Sequence, residues 1–358
     1  MWAMIVKEFL ELRRDHRTMA MIIVLPLVLL VVFGYAASFN VEDVSTHVVG
    51  PRAQQVAAQL HEPLKVDKID PAGTAATAHE TLRKSDADVV VSTTASGPST
   101  VYIDGSELFM AKAAAAAAAE SGGQLKPDVL YNPDLKTSWV MVPALIGMIL
   151  TFIGTIITSI GLVRERQAGT LEQLAVMPFR PSDVIAGKIA PYFVLAAIDM
   201  VIVAVVGSLL FGVPFNGSLL IFAVGGAVFL FTVLGIGVLI STVSQNQGQA
   251  TQLALMTMLP QILLSGMIFP LESMAVGVRW IGYLLPLTYF IKIASGTMLK
   301  DAPFESLWMP LAVLTGMAVF VFSAAVLRFR RDLAPKQPST KSEPPSGPER
   351  SEPLVGAR

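Results

Sequence analysis

The chain has 358 residues, a formal net charge of −1, 53% hydrophobic residues and 15% charged residues, where an ordinary soluble domain carries about 25% charged residues. Together with a mean hydropathy of +0.61, this excludes a disordered chain and argues against a soluble enzyme, because the apolar residues fall in long blocks. The near-zero charge gives no basic field for nucleic acid, and the absence of cysteine removes disulfides, thiolate metal sites and a cysteine nucleophile.

Residues 1–18 come first. Trp2, Ile5, Phe9 and Leu12 recur at helical spacing, with Lys7, Glu8, Glu11, Arg14 and Asp15 between them. That pattern predicts an amphipathic helix lying in the cytoplasmic membrane interface, either as a passive anchor or as a surface that a partner grips. A helix that crosses the bilayer needs about 20 mostly apolar residues, because lipid cannot satisfy exposed backbone groups. Residues 19–37 meet that need. Tyr35, Ala36, Ala37 and Ser38 offer small residues where a signal peptide would be cut, but the preceding segment is long and mixed in charge, so the span reads as retained.

Next comes a stretch of alternating short strands and helices. Strands are predicted at 44–49, 64–69, 88–92 and 100–103, and helices at 52–60, 74–84 and 106–120. The last holds the alanine run 113–119 and is stopped by Gly122 and Gly123. These make a small α/β domain between the first two spans.

Five more spans follow, at 139–163, 189–215, 219–243, 250–271 and 308–327. The apolar run 280–291 is too short to cross and reads as a re-entrant or interfacial helix. Six spans put both termini on one side. Lys7, Arg13, Arg14, Arg17, Arg164, Arg166, Arg180, Lys188, Arg328, Arg330 and Arg331 cluster there, while the short loop 212–218 has no Lys or Arg. Both termini are therefore expected in the cytoplasm and residues 38–138 outside it. The tail 331–358 is rich in Pro, Ser, Glu and Lys and is expected to be disordered.

No catalytic constellation stands out. The Gly187-Lys188-Ile189 run lacks the rest of a phosphate loop, there is no GxSxG elbow, and the four His are not spaced as a zinc site. Asp199 is the one charge inside a span. It is either a contact for a cationic substrate or a gate, or a carboxyl paired with a neighbouring helix or kept protonated by desolvation. Pro191, Pro260 and Pro270 are expected to kink or end helices. Gly225, Gly226, Gly235 and Gly237 permit close helix approach, within one chain or between two. After the second span, Leu171, Leu174 and Ala175 fall on one face of a short helical segment that Pro178 ends. Such a segment either connects two spans or receives force from a cytoplasmic protein.

The run RERQAGTLEQLAVMPFRPSDVIAGKIAPYF, which begins at Arg164, resembles the coupling segment of ABC-2 type permeases, the membrane subunits of ATP-binding-cassette exporters, in the drug-resistance and multidrug branch. Glu165, Arg166, Gly169, Thr170, Glu172 and Pro178 match. Gln167 stands where an acidic residue is common. A second block, Leu264 to Pro270 followed by Leu285 to Phe290, resembles the family's outer hairpin, with Phe269, Pro270, Pro286 and Tyr289 at its characteristic positions. The family often has Met-Pro where this chain has Met274-Ala275, and an arginine near Ser295.

The resemblance implies an α-helical polytopic membrane protein, with six transmembrane helices and an extracytoplasmic α/β domain inserted between the first two. Its segments would be the interfacial helix 1–18, the first span 19–38, the α/β domain 39–138, a five-helix region 139–330, and the tail 331–358. The five-helix region would hold a cytoplasmic coupling helix (164–178) and an outer re-entrant hairpin (271–300). The resemblance further implies a subunit with no ATPase site or cofactor of its own, in a bacterial plasma membrane. Its partners would be a separate ABC ATPase carrying ATP and magnesium, a second permease (identical or a sister), the lipid bilayer and a small hydrophobic substrate such as a drug or lipid. Asp199 and the four hairpin residues would line the path or gate. Two other classes explain less. A proton-coupled secondary transporter would rely on Asp199 alone, and a non-transporting membrane protein would leave the coupling-like loop unused.

Overall fold

The computed structural model describes residues 43–168 and 181–333. The expected interfacial helix and first span lie outside those residues, as do residues 169–178 of the coupling segment and residues 334–358 of the tail, whose first three residues continue the last helix.

The α/β domain is built from β1 (Val44–Val49), α1 (Ala53–Ala57), β2 (Leu64–Asp70), α2 (Ala75–Lys84), β3 (Val89–Ser92), β4 (Ser99–Asp104), α3 (Leu108–Glu120) and β5 (Leu125–Leu130). The sheet order is β2-β1-β3-β4-β5. β1 runs parallel to β2 and β3, β4 is antiparallel to β3, and β5 is parallel to β4. Alternation along the strands feeds two apolar layers. Val44, Val48, Val89, Val91, Val101 and Ile103 pack against α1 and α3, while Val49 and Val90 pack against Ala78 and Leu82 of α2. In α3 the alanine run earns its place by packing, since Ala111, Ala114 and Ala118 form a buried stripe at helical spacing. Thr74 caps α2, its side chain accepting from the Thr77 N–H, and Ser85 closes the helix in the left-handed region with φ 59°.

Strand β5 was not expected from the sequence. It contains Pro127, and half of its residues are exposed. Proline is tolerated there because β5 is an edge strand, pairing only with β4.

The helical part begins with α4 (Thr137–Gln167), a continuous helix with a π segment at Ile153–Ile157. There follow α5 (Pro181–Phe211), α6 (Leu219–Val243), α7 (Gln247–Leu264), a single 3-10 turn (Leu271–Ser273), α8 (Val276–Gly282), α9 (Pro286–Met298) and α10 (Phe304–Leu333). Four helices among the described residues are long and apolar enough to cross a membrane: Thr137–Gln167, Ile189–Phe211, Leu219–Val243 and Phe304–Arg328. The expected span 250–271 is shorter than its apolar run. Helix α7 ends at Leu264, followed by Ser265 and by Gly266 at φ +90°, a conformation that terminates a helix. The run 280–291 is divided between α8 and α9, with Tyr283 to Leu285 as the break. Helices α5 and α7 continue through Pro191 and Pro260.

Helices α4 and α6 are the centre of this bundle, whereas α5 and α10 leave most of their apolar surface uncovered. The largest buried cluster joins Val142, Ile146 and Leu150 of α4 with Phe229 and Val233 of α6 and with Leu287, Phe290 and Ile293 of α9. Phe229 and Phe290 stack with ring centroids 4.5 Å apart. A Cβ on Gly237 would lie 2.8 Å from the Gly154 carbonyl oxygen, and one on Gly225 would lie 2.7 Å from Ile293. These glycines, with Gly226 against Met200 and Gly235 against Val321, serve close approach within this chain.

Candidate functional site

Two regions carry the residues that the sequence singled out. They lie toward opposite ends of α4, whose 31 residues span about 45 Å at 1.5 Å per residue.

At one end, Glu165 and Arg166 sit in the last turn of α4. The Arg166 guanidinium donates through Nη1 to the carbonyls of Ser241 (2.9 Å) and Ser244 (3.2 Å). The last carbonyls of a helix have no partners within it, so a cation at this position both satisfies them and opposes the dipole. Gln167, where an acid was expected, accepts a hydrogen bond from the Gln247 amide at 3.1 Å, and Gln247 is the first residue of α7. One turn of α4 thus holds the end of α6 and the start of α7. Gly169, Thr170, Glu172 and Pro178 lie outside the described residues.

At the other end, Phe269 packs in a cluster that reaches Tyr283 and Leu285, while Tyr289 packs on the main core of the bundle. Phe269 is buried with Leu263, Leu264, Leu271 and Met274, and Pro270 precedes the 3-10 turn. Pro286 is the first residue of α9, where its missing N–H costs nothing and its fixed φ suits the helix. The Tyr289 hydroxyl donates to the Tyr283 carbonyl at 2.7 Å, and the Thr288 hydroxyl donates to the Gly282 carbonyl at 2.7 Å, so α9 is fastened across the break to the end of α8. Arg279 ties α8 to the 3-10 turn through the Glu272 carbonyl.

Asp199 stands apart, on α5. It is half-buried, and its Oδ2 is enclosed with no hydrogen-bond partner among the described residues.

The α/β domain touches the hairpin end of the bundle, a junction the sequence did not announce. Lys300, two residues past α9, forms a buried ion pair with Asp104 at the end of β4 and donates to the Ser85 hydroxyl at 2.8 Å. Arg83 of α2 donates to the Asp301 carboxylate (2.6 Å) and carbonyl (2.7 Å). A cavity of about 350 Å³ lies beside this junction, lined by Asp88, Glu107 and Glu272 as well as the ion pair. Burial pushes the Asp88 carboxyl up to about 6, helped by the negative charge of Glu272. For Glu107 the direction is likewise upward, from desolvation and then from Glu272, and its exposed surface limits how far burial can raise it. No group of His, Cys, Asp and Glu suited to a metal ion occurs among the described residues.

The family model for ABC-2 family transporter proteins matches residues 16–327. The chain belongs to the ABC-2 transporter family. It is 30% identical over 361 residues to the "Probable multidrug ABC transporter permease YbhR" of Escherichia coli K12, covering 92% of this chain and 98% of that one. It is 28% identical to the "Probable multidrug ABC transporter permease YbhS" of the same organism, covering 92% of this chain and 97% of that one. It is also 34% identical over 212 residues to the "Inner membrane transport permease YhhJ", covering 58% of this chain and 56% of that one. As a member of this family the chain is a membrane transport subunit of an ABC transporter, and the ATPase belongs to a separate subunit.

Proposed function

We propose that this chain is half of an ATP-driven efflux path for a hydrophobic or amphipathic compound, such as a drug or lipid. Two permeases, identical or sisters, meet to form the path in a bacterial plasma membrane. Both termini and the 164–178 segment face the cytoplasm, and the α/β domain and hairpin face out. A separate ATPase, carrying ATP and magnesium, docks on residues 164–178, with Glu165, Arg166, Gly169, Thr170, Glu172 and Pro178 as the coupling residues. Asp199, Phe269, Pro270, Pro286 and Tyr289 line the path or its outer gate. The relatives named multidrug permeases support the substrate class.

The observation that carries this reading is the attachment of one turn of α4 to two other helices, by Arg166 to α6 and by Gln167 to α7. A push delivered just beyond Ala168 reaches three helices at once. Nucleotide does its work through different affinities for two states of the assembly, and such a joint converts a change at the docking surface into a rearrangement of the bundle.

The test is a pull-down of the tagged full chain from its native membranes, scored for associated ATP hydrolysis. The wild type is expected to bring down an ATPase, and Glu165→Ala/Glu172→Ala to lose it or its activity. Recovery of the chain with no ATPase in any detergent would sink the proposal. The buried Oδ2 of Asp199, without a hydrogen-bond partner among the described residues, favours a rival, in which protons drive transport through that carboxyl. Transport that persists without any ATPase and vanishes in Asp199→Asn would establish it.

A further inference from the structure

Helix α9 is the wedge of the bundle. A Cβ on Gly147 of α4 would lie 2.6 Å from Phe290, and one on Gly225 of α6 would lie 2.7 Å from Ile293, so α9 sits hard against both central helices. The end of α9 is clamped from two sides. On one side is the α5–α6 loop, where the Asn216 and Gly217 N–H groups donate to the Met298 and Thr297 carbonyls at 3.0 and 2.9 Å, and the Asn216 amide donates to the Leu299 carbonyl at 3.0 Å. On the other is the α/β domain.

That second clamp is electrostatic and buried, with the cavity described above beside it. Lys300 is 6% exposed and Asp104 2%. Asp104 is itself held rigidly, its Oδ1 accepting from the Ser106 N–H (3.0 Å) and hydroxyl (2.7 Å), which leaves Oδ2 for Lys300. Around this pair lies an exposed rim, with Arg83 on Asp301 and Lys84 4.0 Å from Glu305 of α10. A buried ion pair is a poor device for stability alone, because desolvation offsets its attraction, and its best-attested use is to fix one arrangement over others.

We infer that Lys300 and Asp104 are positioning residues that latch the α/β domain to α9, so that the domain and the hairpin move as one body and the domain is a working part of the gate. This rests on the proposed reading of the hairpin as gate, but the latch itself can be read without an ATPase. The domain then reports on, and restrains, the helix that packs against both α4 and α6 through Gly147 and Gly225. Moving α9 without moving the domain would leave a buried lysine and a buried aspartate unpaired, which is strongly unfavourable.

The test uses the full chain in lipid nanodiscs. Because the chain lacks cysteine, Gln55→Cys on the exposed side of α1 and Val276→Cys at the start of α8 accept spin labels uniquely. The wild type is expected to give one narrow distance distribution. Lys300→Met and Asp104→Asn should broaden it at least twofold, and Lys300→Arg should restore it, a rescue that a merely space-filling role would not show. Asp301→Asn breaks only the exposed Arg83 bridge, keeps the left-handed φ of 47° that asparagine tolerates, and should broaden it less, so the test survives if the buried variants do not fold. With the associated ATPase trapped by vanadate, the Gln55–Val276 distance should hold while a Gln55–Leu209 distance shifts. A Gln55–Val276 distribution unchanged by every one of the non-conservative substitutions, or one that shifts as much as Gln55–Leu209 on trapping, would overturn the latch. A chain that binds no ATPase would instead overturn the export reading and leave the nanodisc result standing.

Discussion

Arg166 Nη1 donates to the carbonyls of both Ser241 and Ser244, so the last turn of α4 caps the end of α6 some 75 residues further along the chain. The side chain that the family resemblance suggests as a coupling residue therefore also joins two helices. Arg166→Ala removes the donor and leaves two carbonyls at a helix end. The expected cost is about 1–3 kcal/mol, the penalty of an unsatisfied buried acceptor. Thermal unfolding in detergent should show a lower midpoint for Arg166→Ala than for Arg166→Lys. Equal midpoints for both and the wild type would mean that the cap carries no stability.

The Asp88 carboxyl predicts a pH dependence with a definite sign. Its folded pKa is raised from 3.8 to about 6, so the folded state binds the proton more tightly than the unfolded state. Stability is then highest below pH 3.8 as far as this group is concerned, falls as pH rises from there to about 6, and stays reduced above that. Asp88→Asn keeps an acceptor for the Ser45 N–H, now 3.1 Å from the carboxylate, and removes the titration. The variant should unfold at a higher temperature than the wild type at pH 7.5 and lose that advantage at pH 4. An advantage that grows on acidification would contradict the assigned sign.

Gly237 sets the spacing of α4 and α6. An added methyl would lie 2.8 Å from the Gly154 carbonyl oxygen and 3.0 Å from the Thr155 carbonyl oxygen, and backbone cannot swing aside. Gly237→Ala should destabilise the bundle by about 1–3 kcal/mol through overpacking. Gly316 has open space around the same probe position, and Gly316→Ala should be neutral or slightly stabilising by helix propensity. Comparing the two by thermal unfolding isolates the packing effect. A Gly237→Ala variant as stable as Gly316→Ala would show that the helices can separate freely.

Asp199 is expected to matter for transport and little for folding. With its Oδ2 unpaired among the described residues, Asp199→Asn removes a charge without breaking a described hydrogen bond. The variant should match the wild type in yield and unfolding midpoint, while transport of a cationic amphiphile falls at least tenfold and that of a neutral one changes little. Equal loss for both compounds would assign Asp199 to the gate rather than to substrate charge.

The parts of the fold set by periodic apolarity were legible in the chain. Strand β1 falls at Val44–Val49 and α6 at Leu219–Val243, where the pattern is unbroken. The boundaries that failed did so for local reasons. Hydropathy runs on past Leu264, but Ser265 and the left-handed Gly266 end α7 there. Pro127 and its charged neighbours hide β5, whose place at the sheet edge depends on partners far away in the chain. The break between α8 and α9 falls at the start of the Leu285 to Phe290 block, and Asp199 stood out as a lone charge among apolar residues. Lys300 and Asp104 were not, because their pairing joins positions 196 residues apart and each looks like an ordinary charge at the end of an element. Gln167 looked like a lost contact, yet it bonds to Gln247, a partner that only the packing of α7 on α4 reveals.

The central claim is that a separate ATPase drives movement of an amphipathic compound through this chain. It is tested most directly by reconstituting the chain with its co-purified ATPase in sealed proteoliposomes and following a fluorescent amphiphile. The account predicts accumulation that starts on addition of ATP and magnesium, survives a protonophore, and is lost in Glu165→Ala/Glu172→Ala. Accumulation that needs no ATP, follows an imposed pH gradient and disappears in Asp199→Asn would contradict it.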